Sequence, residues 1–261
     1  MASSTSNSIE RLDDKSNPKY IDVEKQPTVE SNEPNKVAPK SLGSGTALAI
    51  GVFATTLTTL SLSLMEWRGV TTNNVFVANF FFAAAFGLVV TAQWELAVGN
   101  GFAYTVFSAF GELTALHEYG NMLKLSGLFY AGYGAILTPA FGVVEAYGDN
   151  TTELNNALGF FMILWTVFAV VFLVASLPTN LVYVAIFFTV VFGFLLVASS
   201  YFALADGNIA ASIALKKGGG GFCFISGLIG WYLTFHLLLK DSIVELPLGD
   251  TSRYFAKAKS A

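Results

Sequence analysis

Long apolar runs alternate with short polar breaks from residue 46 almost to the end of the chain. A membrane's hydrocarbon layer is about 30 Å thick and takes about 20 apolar residues to cross as a helix. Six stretches meet that length: Thr46–Met65, Val75–Val98, Phe102–Ala140, Asn155–Ser176, Leu181–Leu204 and Gly219–Leu239. Only Leu177-Pro178-Thr179-Asn180 parts the fourth from the fifth, and no break is long enough for a soluble domain. The pattern predicts an all-α membrane protein, a six-transmembrane-helix bundle over residues 43–239.

The polar positions gather at the ends. Residues 1–40 carry 13 charged side chains and almost no apolar ones. Such a segment buries too little surface to offset the entropy of ordering, so residues 1–42 read as a disordered tail and residues 240–261 as a second tail. No apolar run of a cleavable signal occurs in the first 45 residues, so the first hydrophobic helix is expected to direct insertion. Lys36, Lys40, Lys240, Arg253, Lys257 and Lys259 flank the termini, whereas Arg68, Lys216 and Lys217 fall in loops on the other side. The positive-inside rule then sets both termini in the cytoplasm, with the Lys216-Lys217 pair dissenting. A glycosylation sequon, Asn150-Thr151-Thr152, lies in the acidic loop Glu145–Glu153 that this topology puts outside.

Composition agrees with lipid as the solvent. The 261 residues are 54% hydrophobic, 12% charged, with a mean hydropathy of +0.58; soluble domains carry about 25% charged residues. A net charge of −4 without a dense basic patch excludes nucleic acid as a partner. Cys223 has no second cysteine to pair with and reads as a small buried hydrophobe. His117 and His236 stand apart from any Cys or carboxylate at ligand spacing, so no metal is expected. Gly218–Gly221 lacks the Lys-Ser/Thr continuation of a phosphate loop. No enzyme chemistry and no cofactor is expected. The remaining chemistry within the spans is hydroxylic and acidic. Thr55 and Thr56 are candidate donors to a carboxylate, against the simpler role of bonding back to their own helix. Glu95, at a membrane boundary, is a candidate for proton coupling, against a solvated helix end or an inter-subunit hydrogen bond. Asn100 reads as a helix cap before it reads as a ligand.

Several stretches in order resemble the acetate uptake transporter family, also called the acetate/succinate or ammonia-transport-outward family. They are Trp94-Glu95 with Gly99-Asn100-Gly101-Phe102, Phe107-Ser108-Ala109-Phe110-Gly111, Thr138-Pro139-Ala140-Phe141-Gly142, Glu153–Phe160, Gly230-Trp231-Tyr232 and Leu246-Pro247-Leu248-Gly249. The acidic N-terminal tail resembles the fungal branch. The resemblance implies six-helix subunits in homo- or hetero-hexamers, in the plasma membrane, moving acetate or similar monocarboxylates in symport with protons. Non-transporting acetate or ammonium sensors, accessory subunits and ammonium export are the alternatives it leaves. It also implies a constriction at Val52, with Phe53 beside it, at Phe110 and at Phe188. Two departures stand out. Gly43–Leu48 replaces the family's Asn-Pro-Ala-Pro-Leu-Gly, and Phe110 stands where the family has tyrosine.

The third apolar region carries Glu112, His117, Glu118 and Lys124. The family's Ser-Tyr-Gly runs directly into Gly-Phe. Removing Glu112–Ser126 joins Gly111 to Gly127 and restores that register. A loop insertion and an intramembrane site compete with a retained intron in the translated sequence. The repaired register favours the intron.

Overall fold

A computed structural model of the protein describes residues 45–110, 129–240 and 244–255. The chain divides into two units, Met1–Ser41 and Leu42–Ala261, and every described residue lies in the second. Regular structure among the described residues is helical: α1 (Thr46–Leu64), α2 (Phe86–Ala97), α3 (Gly101–Phe110), α4 (Phe129–Leu137), α5 (Thr151–Ser176), α6 (Leu181–Ala205), α7 (Ile209–Leu239) and the short α8 (Ser252–Phe255). A π-helical stretch, Asn79–Ala85, leads into α2. Five helical stretches are long and apolar enough to cross a membrane: α1, Asn74–Ala97, α5, α6 and α7. The sixth expected span appears as the shorter α3 and α4, and Glu112–Ser126 lies outside the described residues.

Three asparagines start the long helices of the second half. The side-chain oxygen of Asn150 accepts from the Glu153 amide at 3.1 Å, Asn180 from Tyr183 at 3.1 Å and Asn208 from Ala211 at 3.1 Å. Each satisfies an amide that the first turn leaves open. These caps correct two expected boundaries. Helix α5 begins at Thr151 rather than Asn155, so the sequon asparagine is itself the cap and also donates to Glu153 Oε2 at 2.8 Å. Helix α7 begins at Ile209 rather than Gly219, which moves Lys216 and Lys217 from a loop into a helix. Glycine weakens an isolated helix, yet the Gly218–Gly221 run lies within α7. Here tight packing holds it helical. A Cβ on Gly219 would lie 2.8 Å from the Gly193 carbonyl of α6, and one on Gly220 would lie 2.9 Å from the Met65 side chain.

Helix α1 packs against α7, α7 against α6, and α6 against α5. An aromatic core fills the middle. The Phe129 ring lies 4.8 Å from Phe194, 5.0 Å from Tyr130 and 5.4 Å from Trp165. Phe110, the last described residue of α3, meets Phe129, the first of α4, at 6.1 Å. Cys223 is buried in the core as expected. Helix α5 exposes Phe160, Leu164, Val167, Val171 and Val174 while Met162, Trp165, Ala169 and Phe172 face inward. An exposed apolar stripe of this kind is a surface for lipid.

Beyond α7 the chain folds back as a strap. Tyr232 Oη donates to the Pro247 carbonyl at 2.7 Å, and His236 Nδ1 lies 2.6 Å from the Leu246 carbonyl. The Leu181 amide, first in α6, donates to Gly249 O at 2.7 Å, and Thr251 Oγ1 to Leu177 O at 2.7 Å. His236 is thereby buried.

Candidate functional site

The centre of the bundle is closed by side chains from four helices. Ile50 and Phe53 of α1, Leu88 of α2, Val106, Phe107 and Phe110 of α3, and Tyr183, Ile186 and Phe187 of α6 line a cavity of about 30 Å³. That is room for little more than one water molecule. Phe53 and Phe110 approach to 6.4 Å between centroids, and Phe110 is held from behind by Phe172 at 5.9 Å and Trp165 at 6.2 Å. An acetate ion has no donor in such a wall. The wall excludes charge as well as bulk.

Of the residues expected at a constriction, Phe53 and Phe110 come together here and the other two do not. Phe188 is 49% exposed and packs on Phe192 at 4.9 Å. Its neighbour Phe187 occupies the cavity wall instead. Val52 faces Gly87 and a lateral groove shared with Thr55 and Asn79. Adjacent helical residues point about 100° apart, so a one-residue shift in alignment moves a side chain off the wall. Thr55 bonds back to the Gly51 carbonyl at 2.8 Å, the plainer of its two expected roles. Thr56 is different: its hydroxyl accepts from Asn79 Nδ2 at 2.8 Å.

On one side of the wall lies a buried carboxylate. Glu95 is 0% exposed, which corrects the expectation of a solvated helix end. Thr46 Oγ1 donates to its Oε1 at 2.8 Å and Asn100 Nδ2 to its Oε2 at 2.8 Å. Asn100 also accepts from the Ala103 amide at 3.3 Å, so it caps α3 and holds Glu95 at once. Both donors stand at helix starts, where orphan amides favour negative charge. Thr46 falls where the resembled motif has its second proline, which has no hydroxyl to give. Gly45 is equally constrained, because a Cβ there would lie 2.9 Å from Thr91 Cγ2. The two departures in this segment therefore fit one another. Thr46 went unnoticed in the sequence because its partner is 49 residues away.

The opposite end of α1 carries a second polar group. Lys217 Nζ lies 2.7 Å from Glu66 Oε2. This bond, with Lys216 adding to the field, holds the Glu66 carboxyl below the usual range. Glu66 and Arg68 adopt left-handed backbone at φ 56° and 55°, a conformation that costs non-glycine residues on the order of 1 kcal/mol each. One turn inward Ser63 bonds Asn73, which in turn meets the Tyr133 hydroxyl beside that of Tyr201. The architecture is thus two polar ends and an apolar waist, as in proteins that pass small solutes across a membrane.

Comparison with known proteins gives that architecture a lineage. The chain belongs to the GPR1/FUN34/yaaH family, whose pattern matches residues 28–249. It is 46% identical over 219 residues to the acetate transporter protein patA of Aspergillus clavatus, covering 84% of this chain and 82% of that one. It is 29% identical over 185 residues to the ammonia transport outward protein 2 of Saccharomyces cerevisiae, covering 70% of this chain and 57% of that one. The bacterial acetate channel SatP has the same fold, with a TM-score of 0.61 at 24% identity over 80% of this chain and 99% of the channel. The family read from the motifs is this one. The chain is an integral membrane protein.

Proposed function

We propose that this protein is a transporter or channel for acetate or a similar small monocarboxylate, moved together with protons. The 46% identity to a fungal acetate transporter over most of both chains carries this reading. The dry waist at Phe53, Phe110 and Phe187 supports passage of the neutral acid, and buried Glu95, held by Thr46 and Asn100, is the residue that exchanges the proton. Uptake of labelled acetate in a transporter-null fungal strain tests it. Saturable uptake that rises as pH falls is the expected result; none from correctly localised protein would refute it.

The finer architecture belongs to the same reading. Helices α3 and α4 form a sixth span, residues 1–42 and 240–261 are cytoplasmic tails, and six subunits assemble in the plasma membrane, each with its own path. Joining Gly111 to Gly127 would set Phe110 and Phe129 four residues apart, the spacing of neighbours on one helix face. Their 6.1 Å ring contact supports a continuous helix without Glu112–Ser126. Sequencing the mature transcript across this junction decides the matter: a message that keeps the segment sinks the intron reading.

A second reading is favoured by the yeast relative's name. An ammonium exporter or a non-transporting sensor would localise normally, leave acetate uptake unchanged, and alter ammonia release or acetate response in the same strain.

A further inference from the structure

The Glu66–Lys217 pair stands apart from the waist and from Glu95, and nothing in the proposed path uses it. Its setting is unusual in three ways. The lysine rises from the body of α7, not from a loop, so its position is fixed by helix packing at Gly219 and Gly220. Its partner sits in a turn with left-handed backbone at Glu66 and Arg68, tied down by short local hydrogen bonds such as Glu66 N to Ser63 O at 2.9 Å. Both side chains remain reachable, at 46% and 27% exposure. The local charge is lopsided. Lys217 bonds this one carboxylate and Lys216 adds to the positive field around it.

We infer that Lys217 is the first binding point for the substrate carboxylate at the mouth opposite Glu95, and that Glu66 is a built-in surrogate which the substrate displaces. An ammonium group that binds a side-chain carboxylate at 2.7 Å binds a free monocarboxylate by the same charge-assisted bond. Displacement costs little, because a partly exposed ion pair is held weakly against water. The next polar groups inward are Asn73, Tyr133 and Tyr201, which offer neutral donors one turn deeper. A carboxylate can thus exchange an ionic partner for neutral ones before it meets the apolar waist. Arriving at the waist still ionised is unfavourable, so this mouth selects by charge and the waist by neutrality.

The inference rests on the transport reading, and one experiment separates the two. The full chain is expressed in the transporter-null strain with Glu66→Gln, Lys217→Gln and Lys217→Arg, and acetate uptake is measured across pH. Above the pKa of a simple carboxylic acid, about 4 to 5, Glu66→Gln lowers KM severalfold by freeing the lysine. Lys217→Gln raises KM severalfold and Lys217→Arg restores it, with maximal rate unchanged in all three. The differences in KM shrink as pH falls and the substrate becomes uncharged. Wild-type uptake with KM indifferent to these changes, or altered equally at every pH, overturns the site alone. No uptake by the wild type overturns the transport reading and the site with it.

Discussion

Glu95 and Glu66 sit at opposite ends of the bundle and illustrate two ways to keep a carboxylate near a membrane. Glu95 is wholly buried and is met by neutral donors, a threonine hydroxyl and an asparagine amide, each fixed at a helix start. Glu66 is partly exposed and is met by a flexible ammonium. A cation fixes the charge state but is easily exchanged for another anion. One end thus encloses its carboxylate and the other leaves it open to water. The apolar waist keeps the two apart.

That contrast is most severely broken by opening the waist. Phe110→Ala removes a ring packed on Phe53, Trp165 and Phe172 and should cost about 3 to 5 kcal/mol. Thermal unfolding in detergent measures the cost, and uptake that no longer saturates marks the lost barrier. Glu95→Ala comes next. It removes the carboxylate that Thr46 Oγ1 and Asn100 Nδ2 donate to, at a cost of about 2 to 3 kcal/mol. The isosteric Glu95→Gln, which keeps an acceptor, should retain the fold yet flatten the pH dependence of uptake. Thr251→Val removes one strap hydrogen bond to Leu177 O and should cost about 1 kcal/mol, read as a lower unfolding midpoint. Glu66→Gln should leave the midpoint where it is and change only KM. The Glu66 carboxyl is held below its ordinary 4.5, so the pair is complete above that pH and is lost as pH falls through the lower folded value. Carboxyl-carbon NMR of Glu66 against pH would follow that loss.

Five of the six expected spans were legible because lipid imposes one requirement, an apolar helix of fixed length, on each such segment. Boundaries were not, where a local rule was outweighed by packing. Four consecutive glycines look like a break, yet Gly219 and Gly220 are helical because only glycine lets α7 approach α6 and α1 so closely. Glu95, Asn100, Phe53 and Phe110 were candidates from motif and position, whereas the Thr46 partner, Phe187 and the lysine at Glu66 were not. These depend on which helices lie side by side, and a single sequence is silent on that.

The strap has a consequence for how the protein is made. The first amide of α6 finds its acceptor in Gly249, and the Leu177 carbonyl accepts from Thr251. Both are translated after every span has been threaded into the bilayer. The corner between α5 and α6 is therefore finished by residues translated after α7. A chain stopped just past Lys240 would hold all its apolar helices and still show an open corner to the cell's quality control.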